Sequence, residues 1–194
     1  MRILILMLTI HVVVQAQTVL TPTQIQSAIE KGQQYKGTAQ FLKKGLRGIK
    51  ISVGPYIDVT FCNDWQVVAL KAADAKGQMR ELKPNELNVS GPLHAFMETK
   101  LTLAGLRVKW DDIGASNDIA QSSNLVLMTD NRAIQPTRRS LVQNHGSTIV
   151  LGFDFVVEPA ELEKPLTVIS VDGDDGRKHQ KKNVDLSGIL NVLR

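Results

Sequence analysis

The chain has 194 residues, 23 Lys and Arg against 19 Asp and Glu, a formal net charge of +4, and one cysteine, Cys62. A single cysteine excludes an intramolecular disulfide framework and a zinc centre of several thiolates, so the fold has to be held by its core. The mild positive balance does not by itself imply nucleic acid, and the length suits one ordinary domain.

Met1-Arg2 supplies a positive start, Ile3 to Val14 is apolar apart from Thr9 and His11, and Val14-Gln15-Ala16 places small or β-branched residues where a signal peptidase cuts. The apolar run falls well short of the roughly 20 residues that cross a bilayer. The expectation is a signal peptide over 1–16 and a single mature domain over 17–194, exported to the periplasm or the extracellular space. No membrane span is expected after cleavage, because no second stretch approaches spanning length.

A helix follows. Thr21 can cap it, Pro22 suits its first position, Gln24 completes a Thr-x-x-Gln capping box, and Ile25, Ala28, Ile29, Gly32 and Tyr35 share one face. Ile49, Ile51 and Val53, then Ile57, Val59 and Phe61, alternate with polar residues around Gly54-Pro55 and predict two strands. Asn63 or Asp64 can cap a second helix in which Trp65, Val68, Ala69, Ala72 and Ala73 form an apolar stripe ended by Gly77. Its alanines suit close packing on a sheet or another helix.

Leu93 to Leu103 reads equally as a short helix after Pro92 or as an edge strand. Beyond it the pattern is strand-like: Leu106 to Trp110, Leu125 to Met128, Ile149 to Val157 and Leu166 to Val171. The predicted fold is α+β and strand-dominated, an antiparallel β-sandwich-like core formed mainly by residues 100–190, with two helices in the N-terminal third.

Short motifs carry little chemistry. Asp172-Gly173-Asp174-Asp175-Gly176 resembles a calcium loop in composition, but Gly176 stands where the fifth-position ligand belongs and Asn183 where a bidentate Glu should close it. A turn between two strands accounts for it better. Gly45-Leu46-Arg47-Gly48 matches a short RNA-binding loop too weakly to outweigh export. Asn88-Val89-Ser90 is a formal glycosylation acceptor, relevant only in a eukaryotic secretory pathway.

After cleavage His94, His145 and His179 are the remaining histidines, with no metalloprotease pattern and no nucleophile elbow. Cys62 follows an apolar run and reads as a buried small side chain rather than a thiolate. No metal or other cofactor is expected. The uneven feature is positive charge: Lys43, Lys44, Arg47 and Lys50 end a stretch from Lys31 that contains no acid, and Arg177, Lys178, Lys181 and Lys182 surround His179. If the two clusters meet, they form a face that attracts anions; if they do not, they are solvated loops.

The expected function is a non-enzymatic binding or interaction protein of the cell envelope, engaging an anionic envelope component or protein partner through these clusters, with no nucleic acid. Two alternatives stand beside it. One is a secreted hydrolase with a dispersed active site, which would gather His94 or His145 with a carboxylate in a pocket. The other is a structural subunit, which would show an apolar patch or an unpaired edge strand.

Overall fold

The computed structural model describes residues 20–87, 91, 93–100, 121–130, 132–145, 148–173 and 176–189. The expected signal peptide, the Asn88 acceptor and the expected strand at Leu106 to Trp110 lie outside them.

Helix α1 (Pro22–Gly32) begins with the expected capping box: the Gln24 amide donates to Thr21 Oγ1 at 3.3 Å, and the Thr21 amide donates to Gln24 Oε1 at 2.9 Å. A short helix α2 (Thr38–Lys44) follows, anchored by the buried Phe41, whose ring meets Tyr35 edge-on at 5.2 Å. It lies inside the basic stretch, where the adjacent Phe41 and Leu42 leave no helical period for sequence to show.

Strands β1 (Ile49–Ser52) and β2 (Ile57–Cys62) form an antiparallel hairpin and lead into α3 (Asp64–Gly77). Asn63 caps α3 in a reciprocal box with Gln66, and its Nδ2 also donates to the Ile189 carbonyl at 2.9 Å. One buried amide therefore both starts the helix and ties it to the far end of the chain. Gly32 sits directly on the Ala69 backbone, so α1 and α3 cross closely because neither presents a large side chain there.

The remaining elements are β3 (Leu93–Lys100), β4 (Asn124–Met128), β5 (Ala133–Ile134), β6 (Arg138–His145), β7 (Thr148–Phe155), helix α4 (Pro159–Leu162), β8 (Leu166–Val171) and β9 (Lys178–Val184). They complete a five-stranded sheet in the order β1-β2-β3-β7-β6 and a four-stranded sheet in the order β5-β4-β8-β9. The ambiguous Leu93 segment is a strand, and a central one rather than an edge, because β2 and β7 pair with it on either side. Between β8 and β9 the Asp172 amide donates to the Arg177 carbonyl at 2.8 Å, and Gly176 stands at φ +67°.

The two sheets share one apolar core: Ile57, Val59, Phe61, Met97, Phe153 and Phe155 from the larger meet Leu125, Leu127, Leu166 and Val168 from the smaller. On its other face the larger sheet carries the helices, through a second cluster containing Ala28, Phe41, Val68, Ala69, Phe96 and Val150. The fold is thus strand-dominated α+β, a sandwich with a helical layer on one side. Residues 49–100 supply three of the five strands of the larger sheet, so the core draws more on the first half of the chain than the 100–190 expectation allowed. Among the described residues no helix is long and apolar enough to cross a membrane.

Candidate functional site

Strand alternation sends Leu93, Ala95 and Met97 into the sandwich core and turns His94, Phe96 and Glu98 toward the helices. His94 is paired across the ladder with Asp154 of β7 on one side and Cys62 of β2 on the other. Two residues after Cys62, the Asn63 cap places Asp64 in the first turn of α3.

These three elements close a clamp around one imidazole. His94 Nδ1 donates to Asp154 Oδ1 at 2.8 Å and Nε2 donates to Asp64 Oδ1 at 2.6 Å, with the His94 side chain 3 % exposed. Burial alone would lower the pKa of the ring, yet the hydrogen bonds to Asp154 and Asp64 outweigh it and the pKa is raised. A doubly protonated ring is the form that satisfies both carboxylates, and it leaves no nitrogen lone pair for general-base work. The Cys62 thiol beside it is pushed well up, first by burial and then by the Asp154 and Asp64 charges, so it stays protonated and is no nucleophile.

Asp154 also lines an open cleft of about 500 Å³ between α3 and the β3-β7-β6 surface. One end is a fixed charge group: Arg80 bridges Glu86 at 2.8 Å and Asp74 at 3.4 Å, and Thr38 Oγ1 donates to Asp74 at 2.9 Å. The lining also includes Lys71 and Arg138, the latter opposite Asp154 in the β6–β7 ladder. Burial lowers the Lys71 pKa, the neighbouring Arg138 charge lowers it further, and Asp154, Glu86 and Asp64 act in the opposite sense. Val67, Leu70, Phe96 and Val142 supply apolar wall between these groups.

Of the residues singled out from sequence, Lys43 and Lys44 end α2, Arg47 lies in the loop after it and Lys50 projects from β1, 3.3 Å from Asp58. Lys43 and Lys50 line a second cleft with Thr60 and Glu98. Arg177 sits in the β8–β9 turn, while Lys178, Lys181 and Lys182 are exposed on β9. The Gly54 turn that follows β1 rests against the His179 ring, so close that a Cβ at Gly54 would lie 2.9 Å from it. The β1 edge of one sheet and the β9 edge of the other thereby adjoin, with Lys50 and the second cluster on neighbouring strands. Lys43, Lys44 and Arg47 lie at the opposite end of β1 from Gly54, because β1 runs from Ile49 to Ser52 between them. His145 falls on β6 opposite Thr148, away from the His94 clamp in the ladder.

Sequence reading named His94 but missed Asp64, Asp154, Lys71 and Arg138. One signal was present: Asp154 interrupts a run, Ile149 to Phe155, that is otherwise apolar or glycine on both strand faces. A lone carboxylate in a strand buried on both sides requires a partner. No protein-family model, curated protein sequence or solved structure matches this chain.

Proposed function

We propose that the protein is a non-enzymatic binding protein that works after export and engages an anionic envelope component or acidic partner through the β1–β9 edge. The observation that supports this reading is the seating of the Gly54 turn on His179, which brings the strand that carries Lys50 against the strand that carries the second cluster, while Lys43, Lys44 and Arg47 lie at the far end of β1. Lysines on both edge strands also oppose edge-to-edge pairing of copies, leaving the surface available for a differently shaped partner. Attraction of this kind acts over about a Debye length, roughly 8 Å at physiological salt, so it is salt-sensitive.

Glutamate at Lys50, Arg177, Lys178, Lys181 and Lys182 is expected to abolish retention of the protein on purified anionic envelope polymer. Single replacements should shift the eluting salt concentration downward. Unchanged retention of the fivefold variant would end this reading. Mass spectrometry of exported material, expected to start near Gln17, checks the compartment on which it depends.

A hydrolase is the second reading, favoured by Asp154 facing a cleft with His94 behind it. It requires His94 to release a proton and give up one arm of its clamp before it can act as a base. Ester or amide turnover that disappears in Asp154→Asn would establish it over the first.

A further inference from the structure

We propose that the cleft between α2 and the outer face of the larger sheet is a second site, one that takes a single-chain anionic amphiphile: the charged head between Lys43 and Thr60, the alkyl chain on Leu42, Leu46, Phe96 and Val150. It lies on the helical face of the sheet and is distinct from the β1–β9 edge, although Lys50 of β1 borders both.

Strand register sets the floor. Thr60 of β2 stands directly opposite Phe96 of β3, and Glu98, two residues beyond Phe96, stands opposite Val150 of β7. These side chains turn away from the sandwich, because their strand neighbours Val59, Phe61, Met97, Ile149 and Leu151 fill its core. The roof is α2 and the loop after it. Gly48 presses on the Phe61 backbone, and this contact brings Leu46 down beside the sheet. Roof and floor enclose about 460 Å³, in the range of small-molecule sites.

The apolar part of the cleft is unfinished on one side. Phe96 and Val150 are buried, whereas Leu42 and Leu46 above them are only partly so. An alkyl chain laid between roof and floor removes the remaining aliphatic surface from water, and that removal drives its binding.

Charge sets where the head goes. Lys50 is bridged to Asp58 at 3.3 Å, and Glu98 has an interaction of its own. Lys43, exposed on the last turn of α2, has no ion pair or hydrogen bond among the described residues, and neither has the Thr60 hydroxyl on the floor. Lys44 and Arg47, exposed close to Lys43 in the chain, raise the positive potential at that end. Glu98 disfavours an anion and so keeps the head on the Lys43 side. One exposed ammonium with one hydroxyl holds a bare inorganic anion weakly, so the chain has to supply most of the affinity.

The test is a titration of the exported chain with decanoate below its micelle concentration, followed through the methyl resonances of Leu42, Leu46 and Val150. Ile169 of the smaller sheet is the reference, and acetate and 1-decanol are probes lacking the chain and the charge. Decanoate should move the three methyl groups saturably and leave Ile169 in place. Acetate should bind about a hundredfold more weakly and decanol about threefold more weakly, in line with the larger share of the buried chain and the smaller share of an exposed charge. Lys43→Gln should weaken decanoate by about the same threefold and leave decanol unchanged. Ala39→Trp, at an exposed position on the roof, should block both by filling the cleft, with thermal melting as the check that each variant is folded. Vesicles of equal parts phosphatidylglycerol and phosphatidylcholine identify the source: if they move the same methyl groups, the chain is drawn from a bilayer lipid, and if free decanoate alone moves them, the ligand is a free acid. The proposal is overturned if decanoate leaves the three methyl groups unmoved or moves Ile169 equally, if decanol binds as well as decanoate, or if folded Lys43→Gln and Ala39→Trp bind decanoate unchanged. Neither variant should alter retention on anionic polymer, which separates this site from the β1–β9 edge.

Discussion

On the side of the five-stranded sheet turned toward its partner sheet, Val59, Phe61, Met97, Phe153 and Phe155 pack into an apolar core; on the side turned toward the helices, the same strands carry Cys62, His94 and Asp154. Neighbouring residues of one strand thus serve opposite chemistries. Phe153 and Phe155 stabilise in proportion to the apolar area they remove from water, with roughly 1.5–3 kcal/mol for a fully buried side chain. Asp154 between them is tolerated because a buried imidazolium meets it, and its worth lies in what its loss would leave unpaired. The inner face can therefore be repacked with other apolar residues, whereas the outer face depends on the presence of all three charged partners.

Substitutions on the two faces should separate accordingly. The largest loss is expected for Phe155→Ala, about 3–5 kcal/mol in urea unfolding, from lost burial and the cavity left between the sheets. A change below about 1 kcal/mol would mean that the sandwich core is not close-packed there.

On the outer face His94→Leu leaves Asp64 and Asp154 facing each other without their shared donor. Its expected cost is about 2–3 kcal/mol, below the 3–5 of a fully buried pair because both carboxylates retain some solvent contact. This contribution also depends on pH in a direction that the inner face cannot reproduce. Folding raises the His94 pKa, so the clamp contributes in full below the unfolded imidazole value of about 6.5 and is lost as pH climbs through the higher folded value. The stability difference between wild type and His94→Leu should accordingly shrink on going from neutral to alkaline pH, by at most about 1.4 kcal/mol per pH unit. A difference that grows with pH would contradict the charged clamp.

Smaller again is Gly32→Ala, which should cost about 1–3 kcal/mol because a methyl group there meets the Ala69 backbone and forces α1 away from α3. Near-ultraviolet circular dichroism of Trp65 should report the displaced helical layer, since Trp65 packs in the same cluster. The smallest effect on stability, within about 0.5 kcal/mol, is expected for charge reversal at Lys181 or Lys182, which are exposed on the edge strand β9. The basic edge should matter for retention on a polyanion and scarcely for folding.

The sites differ in how far sequence reveals them. His94 was visible as a histidine, yet its clamp joins residues 30 and 60 positions away, and no spacing rule links such partners. Lys71 looks like any lysine on the polar side of a helix, and Arg138 like any cation beginning a strand. They line one cleft only because α3 lies across β7 and β6. The two basic clusters were legible as composition, but that Lys50 and not Lys43, Lys44 or Arg47 is on the strand that leads to the contact with the second cluster depends on which edges of the two sheets fall on the same side.

What the sequence determined by itself was local. Capping residues Thr21 and Asn63 and the period-two alternation of 49–61 specify elements because their physics is settled within a few residues, whereas α3 runs through Gly77 and turns left-handed at Met79. Only the tertiary structure decided that Leu93 to Lys100 is a central strand, that Asp64 and Asp154 share one imidazole, and that α3 and the β3-β7-β6 surface bound one cleft. Strand order and helix placement follow from how apolar faces of distant segments bury one another, and that pairing is a property of the whole chain.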